Sequence, residues 1–281
     1  LHDCWFYTGK CCHYTVDNCY KWQHGCGGCP RLRKDNPSWF FDRTKTMWQD
    51  KKLLFENIPR LAVIGVSDWI TNEAKHSLLS SAKMITRVYN WIDLEIFKPV
   101  SSERLIEKYG IEDKFIILGV ASDWSNEKGL NKFIELSKII SDKYKIVLVG
   151  SQSSESRIPS NIITISRTEK IDELVQLYSM ANVFLTLSKE ESFGKVSAEA
   201  LACGTPVIAY RSTANPELIG DGCGDIIESN EIGEVADAIS KICRNGKEFY
   251  SENCISFAKT HFNKDDRITD YINVYKEIMG K

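Results

Sequence analysis

No apolar run in this 281-residue chain reaches the ~18 residues that a membrane span needs. No segment has the layout of a signal peptide either. A strong charge of one sign is also missing. The formal net charge is −2 at pH 7, which gives no reason to expect nucleic acid as a partner. The remaining composition is ordinary for a soluble globular protein. A cytoplasmic protein is therefore expected. Peripheral attachment at the inner face of the cell membrane stays open, because it needs only a local patch. An initial methionine is absent too: the chain opens on Leu1, His2, Asp3, Cys4 and Trp5. Residues 1–5 suit the end of a strand running into a loop. The expectation is that part of a longer protein precedes them, with a processed start as the alternative.

Cysteine is abundant but unevenly spread. Six of the ten, Cys4, Cys11, Cys12, Cys19, Cys26 and Cys29, fall in the first 29 residues. They alternate with Trp5, Tyr7, Tyr14, Tyr20 and Trp22, punctuated by glycine and proline, so residues 4–30 read as an irregular loop excursion. There is only one Cys-x-x-Cys pair, Cys26 and Cys29. Joined by Cys19 and by Cys11 or Cys12, it could supply four thiolates to a structural zinc. Reduced thiols packed beside Trp5 and Trp22 are a second reading. Disulfides are a third, which a cytoplasmic location disfavours.

A polar link around Pro37 follows. Residues 61–67 read as a short strand, 68–79 as a helix and 85–89 as a strand. Pro99 with Ser101 and Ser102 marks a plausible domain boundary. Beyond residue 113 the pattern becomes regular. Apolar strands at 115–120, 145–149, 162–165, 183–187 and 207–210 alternate with helices at 130–140, 171–180 and 196–202, the last closed by Gly204. Strands apolar on both faces and alternating with helices indicate a parallel sheet, so residues 100–260 read as a doubly wound α/β domain. A final helix, 265–279, carries one stripe (Ile268, Tyr271, Ile272, Tyr275, Ile278 and Met279) that should pack, with the N-terminal half as a candidate surface.

The loop after the fourth of these strands reads Lys189-Glu190-Glu191-Ser192-Phe193-Gly194-Lys195, and a helix with Glu199 follows. In open parallel sheets ligands bind beyond the carboxyl ends of the strands. A helix start offers unpaired N–H groups and partial positive charge to a diphosphate, and Gly194 lets the backbone approach closely. Carboxylates beside such an anion need hydroxyl donors, which sugars and riboses provide. A lone glycine turn before a helix is a weak signal, so these residues alone go no further than a plausible phosphate ligand.

The whole segment from Glu191 to Tyr210 resembles the donor signature of glycosyltransferase family 4, retaining enzymes of GT-B architecture. It has two glutamates eight apart (Glu191, Glu199), Phe193-Gly194 between them, and then Gly204-Thr205-Pro206-Val207. Residues 90–99 resemble the family's interdomain stretch, with Trp91 in place of the usual glycine. Glu127-Lys128-Gly129-Leu130 resembles its Lys-Gly phosphate loop. The likeness extends from about residue 61 to the end. The cysteine-rich opening is similar to a subset of bacterial members from polysaccharide gene clusters.

The resemblance implies two Rossmann-like domains with parallel sheets, the N-terminal one incomplete. Residues 1–98 would be the C-terminal part of the acceptor-side domain, 99–263 the nucleotide-sugar domain, and 264–281 a helix packing back. It implies transfer of a hexose from a nucleotide-diphosphate sugar to a sugar or lipid-linked oligosaccharide, with retention and with no cofactor required. The setting would be capsule, exopolysaccharide or lipopolysaccharide synthesis. Glu191 would hold donor-sugar hydroxyls and Glu199 the ribose. Lys128 would neutralise the diphosphate beside the Gly194 and Lys195 amides. Phe193 and Val196 would line the donor, and the backbone of Arg167 and Thr168 would meet the base. His2 would face the donor sugar. The arginine that the family places shortly before this lysine is missing from residues 120–124, so phosphate stabilisation would lean more on Lys128 or on Lys195. A nucleotide-sugar-binding fragment without activity, a GT-B nucleotide-sugar epimerase and a zinc-dependent interaction module on residues 1–30 are the alternatives.

Overall fold

The structure is a computed structural model that describes residues 1–34, 36–151 and 158–280. The chain divides into two compact units. The first comprises Leu1–Asn90, Glu190–Phe193 and Asp265–Lys281, and the second Trp91–Lys189 and Gly194–Lys264.

The first unit opens with the cysteine-rich segment, which is irregular apart from one short turn of 3-10 helix at Lys21–Gln23. Buried polar anchors shape it. The Lys10 ammonium donates to the carbonyls of Arg31, Leu32 and Lys34 at 2.9, 2.9 and 2.8 Å. Trp22, Tyr7 and Tyr14 form its buried aromatic centre, with ring centroids 5.0 and 5.2 Å from Trp22. Because the three carbonyls fill all three donors of the ammonium, Lys10→Met should leave them without partners. A loss of roughly 2–4 kcal/mol is expected, since buried unsatisfied groups cost ~1–3 kcal/mol each and partly relax. A urea titration measures it.

Helix α1 (Thr44–Glu56) follows where the sequence reading expected only a polar link. Its buried face is Thr44, Trp48 and Lys51. Two polar residues at inward positions hide the apolar periodicity. Strand β1 (Ala62–Gly65), helix α2 (Asp68–Lys75) and strand β2 (Met84–Arg87) form a right-sized βαβ unit with parallel pairing. Ser67 starts α2 as its N-cap, its hydroxyl accepting from the Ile70 amide at 3.2 Å. The helix ends four residues short of the expected Leu79, in turns through Ala82.

The second unit adds α3 (Glu103–Tyr109), β3 (Phe115–Asp123), α4 (Leu130–Leu136), β4 (Tyr144–Ser151), β5 (Ile162–Ile165), α5 (Ile171–Met180), β6 (Val183–Thr186), α6 (Lys195–Ala202), β7 (Val207–Tyr210), β8 (Gly224–Ile227), α7 (Ile232–Asn245) and α8 (Glu248–Phe262). Among the described residues its sheet has six strands, ordered β5-β4-β3-β6-β7-β8, and every pairing is parallel. Ile117, Leu118, Val147, Leu148, Val183, Phe184, Val207 and Ile208 are fully buried at its centre. The doubly wound reading of this region holds. The sequence reading had not marked α3, α7, α8 or β8.

Helix α9 (Lys264–Met279) corrects the terminal stripe. Its buried residues are Val274 and Ile278. Ile268, Ile272, Tyr275 and Met279 are exposed. The apolar residues wrap around more of the helix than one packed face covers.

Candidate functional site

The second unit's sheet reverses direction of growth between β3 and β6. The chain runs β3, β4, β5 to one side, then returns to build β6, β7 and β8 on the other. Such a switch point leaves a crevice at the carboxyl ends of the two central strands. Two turns rim it. After β3, Gly129 is the N-cap of α4 in the left-handed region (φ +82°), and an added Cβ there would stand 2.6 Å from both Cβ and the carbonyl oxygen of Leu187. The Lys189 amide donates to the Glu127 carbonyl at 3.2 Å. These contacts hold half-buried Lys128 beside the chain that leaves β6. Its own amide donates to Ser125 Oγ at 3.3 Å.

After β6, Gly194 is the N-cap of α6, again left-handed (φ +87°), with Leu218 Cδ1 2.9 Å from where a Cβ would stand. No N-cap side chain satisfies the first amides of α4 or α6. Two helix starts, each with partial positive charge, therefore flank the switch point. Lys195 is the exposed first residue of α6, and Val196 follows half-buried. The Lys195 ammonium lies 5.7 Å from the Trp91 ring centroid and that of Lys264 5.2 Å from it. Trp91 thus gathers two cations near the start of α6, a role that sequence reading did not assign to it. Residues 120–124, where no arginine stands, form the end of β3 and a buried Trp124 whose indole donates to the Val149 carbonyl at 3.1 Å.

Glu199 lies one turn into α6 and is buried. Its Oε2 accepts from the Tyr178 hydroxyl at 2.9 Å. The Tyr178 carbonyl in turn accepts from Thr205 Oγ1 at 2.6 Å. The Gly204-Thr205 segment thereby fixes Tyr178, and Tyr178 fixes Glu199. Sequence reading picked out both motif ends but missed this tyrosine. One hydrogen bond leaves a carboxylate with further accepting capacity. Burial pushes the Glu199 carboxyl above the ordinary glutamate value, opposed by the Tyr178 hydrogen bond and the Lys195 charge. Burial, reinforced by the Glu199 charge, also raises the Tyr178 hydroxyl well above its ordinary value, so it stays a donor.

The pH consequence has two opposite signs. A raised carboxyl pKa means that the folded chain holds the proton more tightly, so its stability contribution is largest at low pH and is lost as pH rises through the folded value. Any ligand whose hydroxyls need the carboxylate binds with the reverse dependence. Affinity for such a ligand is expected to fall on acidification at a pH above that of an ordinary glutamate, and Glu199→Gln should flatten this limb. Calorimetric titrations across pH measure it.

Glu190–Phe193 group with the first unit. Glu190 is buried, and its Oε1 accepts from Thr15 Oγ1 at 2.7 Å and the Val16 amide at 2.9 Å. Arg31 Nη1 lies 3.8 Å from its Oε2 and also pairs with Asp17. Sequence reading passed over Glu190 in favour of its neighbour. The available signal was the Glu-Glu pair itself. Ser192 Oγ donates to the His2 carbonyl at 2.5 Å, and the buried Phe193 ring packs 5.9 Å from Tyr89. Glu191 is half-buried between these anchors. The structure thus brings His2 to this loop through its backbone, with the imidazole exposed. Arg167 and Thr168 lie after β5 at the sheet edge, with β4 between them and β3.

Cys11, Cys19, Cys26 and Cys29, the thiols proposed for zinc, line one cavity of about 20 Å³ together with Thr8, Tyr14 and Trp22. The Gly9 amide donates to Cys26 Sγ at 3.1 Å. Burial pushes the Cys26 thiol up to about 11, with Cys19 and Cys29 adding to the shift. Among the described residues no group of three or more His, Cys, Asp or Glu side chains is set to hold a metal ion. The four thiols share a cavity without forming a ligand set.

Parallel α/β architecture, a switch point with two glycine-started helices and a buried glutamate on the second of them are features of the GT-B glycosyltransferase class. The family model described as glycosyl transferases group 1 matches residues 101–261, more than half of the chain. The chain belongs to that family. It is 27% identical over 229 residues to the N-acetyl-alpha-D-glucosaminyl L-malate synthase of Bacillus anthracis, covering 77% of this chain and 60% of that protein. It is 28% identical over 200 residues to the capsular polysaccharide biosynthesis glycosyltransferase CapM of Staphylococcus aureus, covering 64% of this chain and 51% of the relative. The chain thus spans little more than half the length of these relatives. Among solved structures, a glycosyltransferase from Rickettsia africae ESF-5 superposes with a TM-score of 0.71 at 18% identity, covering 82% of this chain and 67% of the other. Anabaena Alr3699/HepE in complex with UDP gives 0.71 at 19%, covering 85% and 69%. Likeness at that identity speaks for the fold. Among the described residues no helix is long and apolar enough to cross a membrane.

Proposed function

We propose that this chain carries the donor site of a retaining glycosyltransferase of family 4 that moves a hexose from a nucleotide-diphosphate sugar to an acceptor hydroxyl. The observation that carries the reading is the pair of glycine-started, side-chain-uncapped helices at the β3–β6 switch point, with Lys128 on one turn and Glu199 behind the other. The diphosphate takes the first-turn amides of α6, with Lys128 and Lys195 supplying positive charge. Glu199 takes the ribose hydroxyls. Phe193 and Val196 line the donor, Arg167 and Thr168 meet the base, and Glu191 and His2 serve the donor sugar. The roles of these last six residues rest on the family likeness. The binding of UDP by the HepE neighbour supports a nucleotide donor.

Chemistry at such a site is electrostatic. As the glycosidic C–O bond breaks, negative charge builds on the leaving diphosphate, and fixed donors there stabilise the transition state more than the ground state. Retention and use of a phosphate oxygen as the proton acceptor follow from the family likeness, as does independence from a catalytic metal. The CapM relationship supports a place in capsular polysaccharide synthesis; a sugar or lipid-linked oligosaccharide as acceptor and a cytoplasmic location are part of the proposal and follow from the family likeness. Residues 1–98 and 264–281 then belong to the acceptor side and 99–263 to the donor side. A donor screen followed by mass spectrometry, with free-sugar and lipid-linked acceptors, tests this. Mass gain of one hexose on an acceptor is expected. Interconversion of nucleotide sugars without any acceptor would replace the transferase reading with an epimerase.

A further inference from the structure

Trp39, Phe40 and Phe41 are 66%, 89% and 75% exposed, three consecutive aromatic rings facing solvent in the first unit. Nothing in the donor site uses them. Single exposed apolar residues are ordinary, but a contiguous aromatic cluster marks an interaction surface. The segment has a built shape. The Ser38 amide donates to the Leu32 carbonyl at 2.8 Å and Ser38 Oγ to the Phe41 carbonyl at 2.6 Å. Asp42 closes its far side, accepting from the Cys29 amide at 2.8 Å and the Thr44 amide at 2.9 Å. The three rings therefore stand at the tip of a pinned turn.

The charge around this tip selects its occupant. Residues 31–45 hold five basic and two acidic residues, in a chain whose net charge is −2. Arg33, Arg43 and Lys45 are exposed beside the aromatics, and the Arg33 guanidinium lies 5.9 Å from the Trp39 ring centroid. Aromatic rings that enter the headgroup boundary, ringed by cations that meet anionic lipid, are the chemistry of a peripheral membrane contact.

We propose that the turn Ser38–Phe41, with Arg33, Arg43 and Lys45, docks the chain on an anionic phospholipid surface. The inference stands independently of the transferase reading. Flotation of the full chain with liposomes of phosphatidylcholine alone, and of phosphatidylcholine with phosphatidylglycerol, tests it. Binding is expected to the anionic vesicles, weakening with added salt. The variant W39S/F40S/F41S should bind them on the order of tenfold or more weakly, because it removes the insertion surface. Its circular dichroism and nucleotide binding should stay unchanged, because the rings are exposed. Trp39→Phe should keep the binding and lose part of the blue shift in tryptophan emission on vesicle addition. Absence of binding to anionic vesicles overturns the proposal. Equal binding by the triple variant overturns it too. Concentration-dependent dimerisation that the triple variant abolishes, without vesicle binding, would assign the surface to a second copy instead.

Discussion

Replacing Lys128 with alanine is expected to lower the rate of sugar transfer by about a hundred- to a thousandfold, with little change in thermal stability. The magnitude is that of removing one preorganised donor from a developing anion, ~2.7–4 kcal/mol. The direction follows from position. Lys128 stands on the turn whose Gly129 leaves no room for a side chain, since an added Cβ would stand 2.6 Å from Leu187, beside the strand end that leads to α6. With no arginine at residues 120–124 to share the load, the proposed diphosphate site would place more of the charge on this lysine than it would with that partner. Because the side chain is half-buried on a turn and not in the core, its removal should cost little folding energy. Lys128→Arg restores charge but not the compact ammonium, and partial recovery is expected. Single-turnover kinetics separate this loss from weaker donor binding.

Glu190→Ala should have the largest effect on folding. It removes the acceptor of the Thr15 hydroxyl and the Val16 amide and takes away one of the carboxylates that face Arg31, which keeps its pair with Asp17. Breaking one partner of a buried charged network costs about 3–5 kcal/mol. A melting-temperature drop of several degrees is expected. The loop that carries Glu191, Ser192 and Phe193 should loosen with it. Hydrogen exchange at the Val16 amide, which donates to Glu190, reads this locally. Glu190→Gln keeps the shape and one acceptor oxygen, and should lose less.

These two residues also mark how far the sequence could be read. Lys128 and Glu199 stand out in the sequence because their two segments combine fixed spacing with glycines that the backbone requires, and the structure sets both segments at the switch point. The second unit's sheet was legible because its strands are apolar on both faces. Its later helices, α7 and α8, were missed among charged residues that cover their outer faces. Helix α1 was illegible because its inward positions include Thr44 and Lys51. Glu190 and Tyr178 escaped for a different reason. Each acts through a partner far along the chain, Thr15 and Glu199 respectively, and even a local mark such as the Glu190-Glu191 pair does not name that partner. The terminal helix shows the converse. Six apolar residues at helical spacing promised one packed face, yet Val274 and Ile278 are what it buries.

The central claim is that the β3–β6 switch point binds the diphosphate and ribose of a nucleotide. Isothermal titration of the chain with UDP, GDP, ADP and CDP tests it most directly. One of these nucleotides is expected to bind with one-to-one stoichiometry, and both Lys128→Ala and Glu199→Ala should weaken it on the order of tenfold or more. Failure of all four to bind, or affinity unchanged in both variants, would contradict the account.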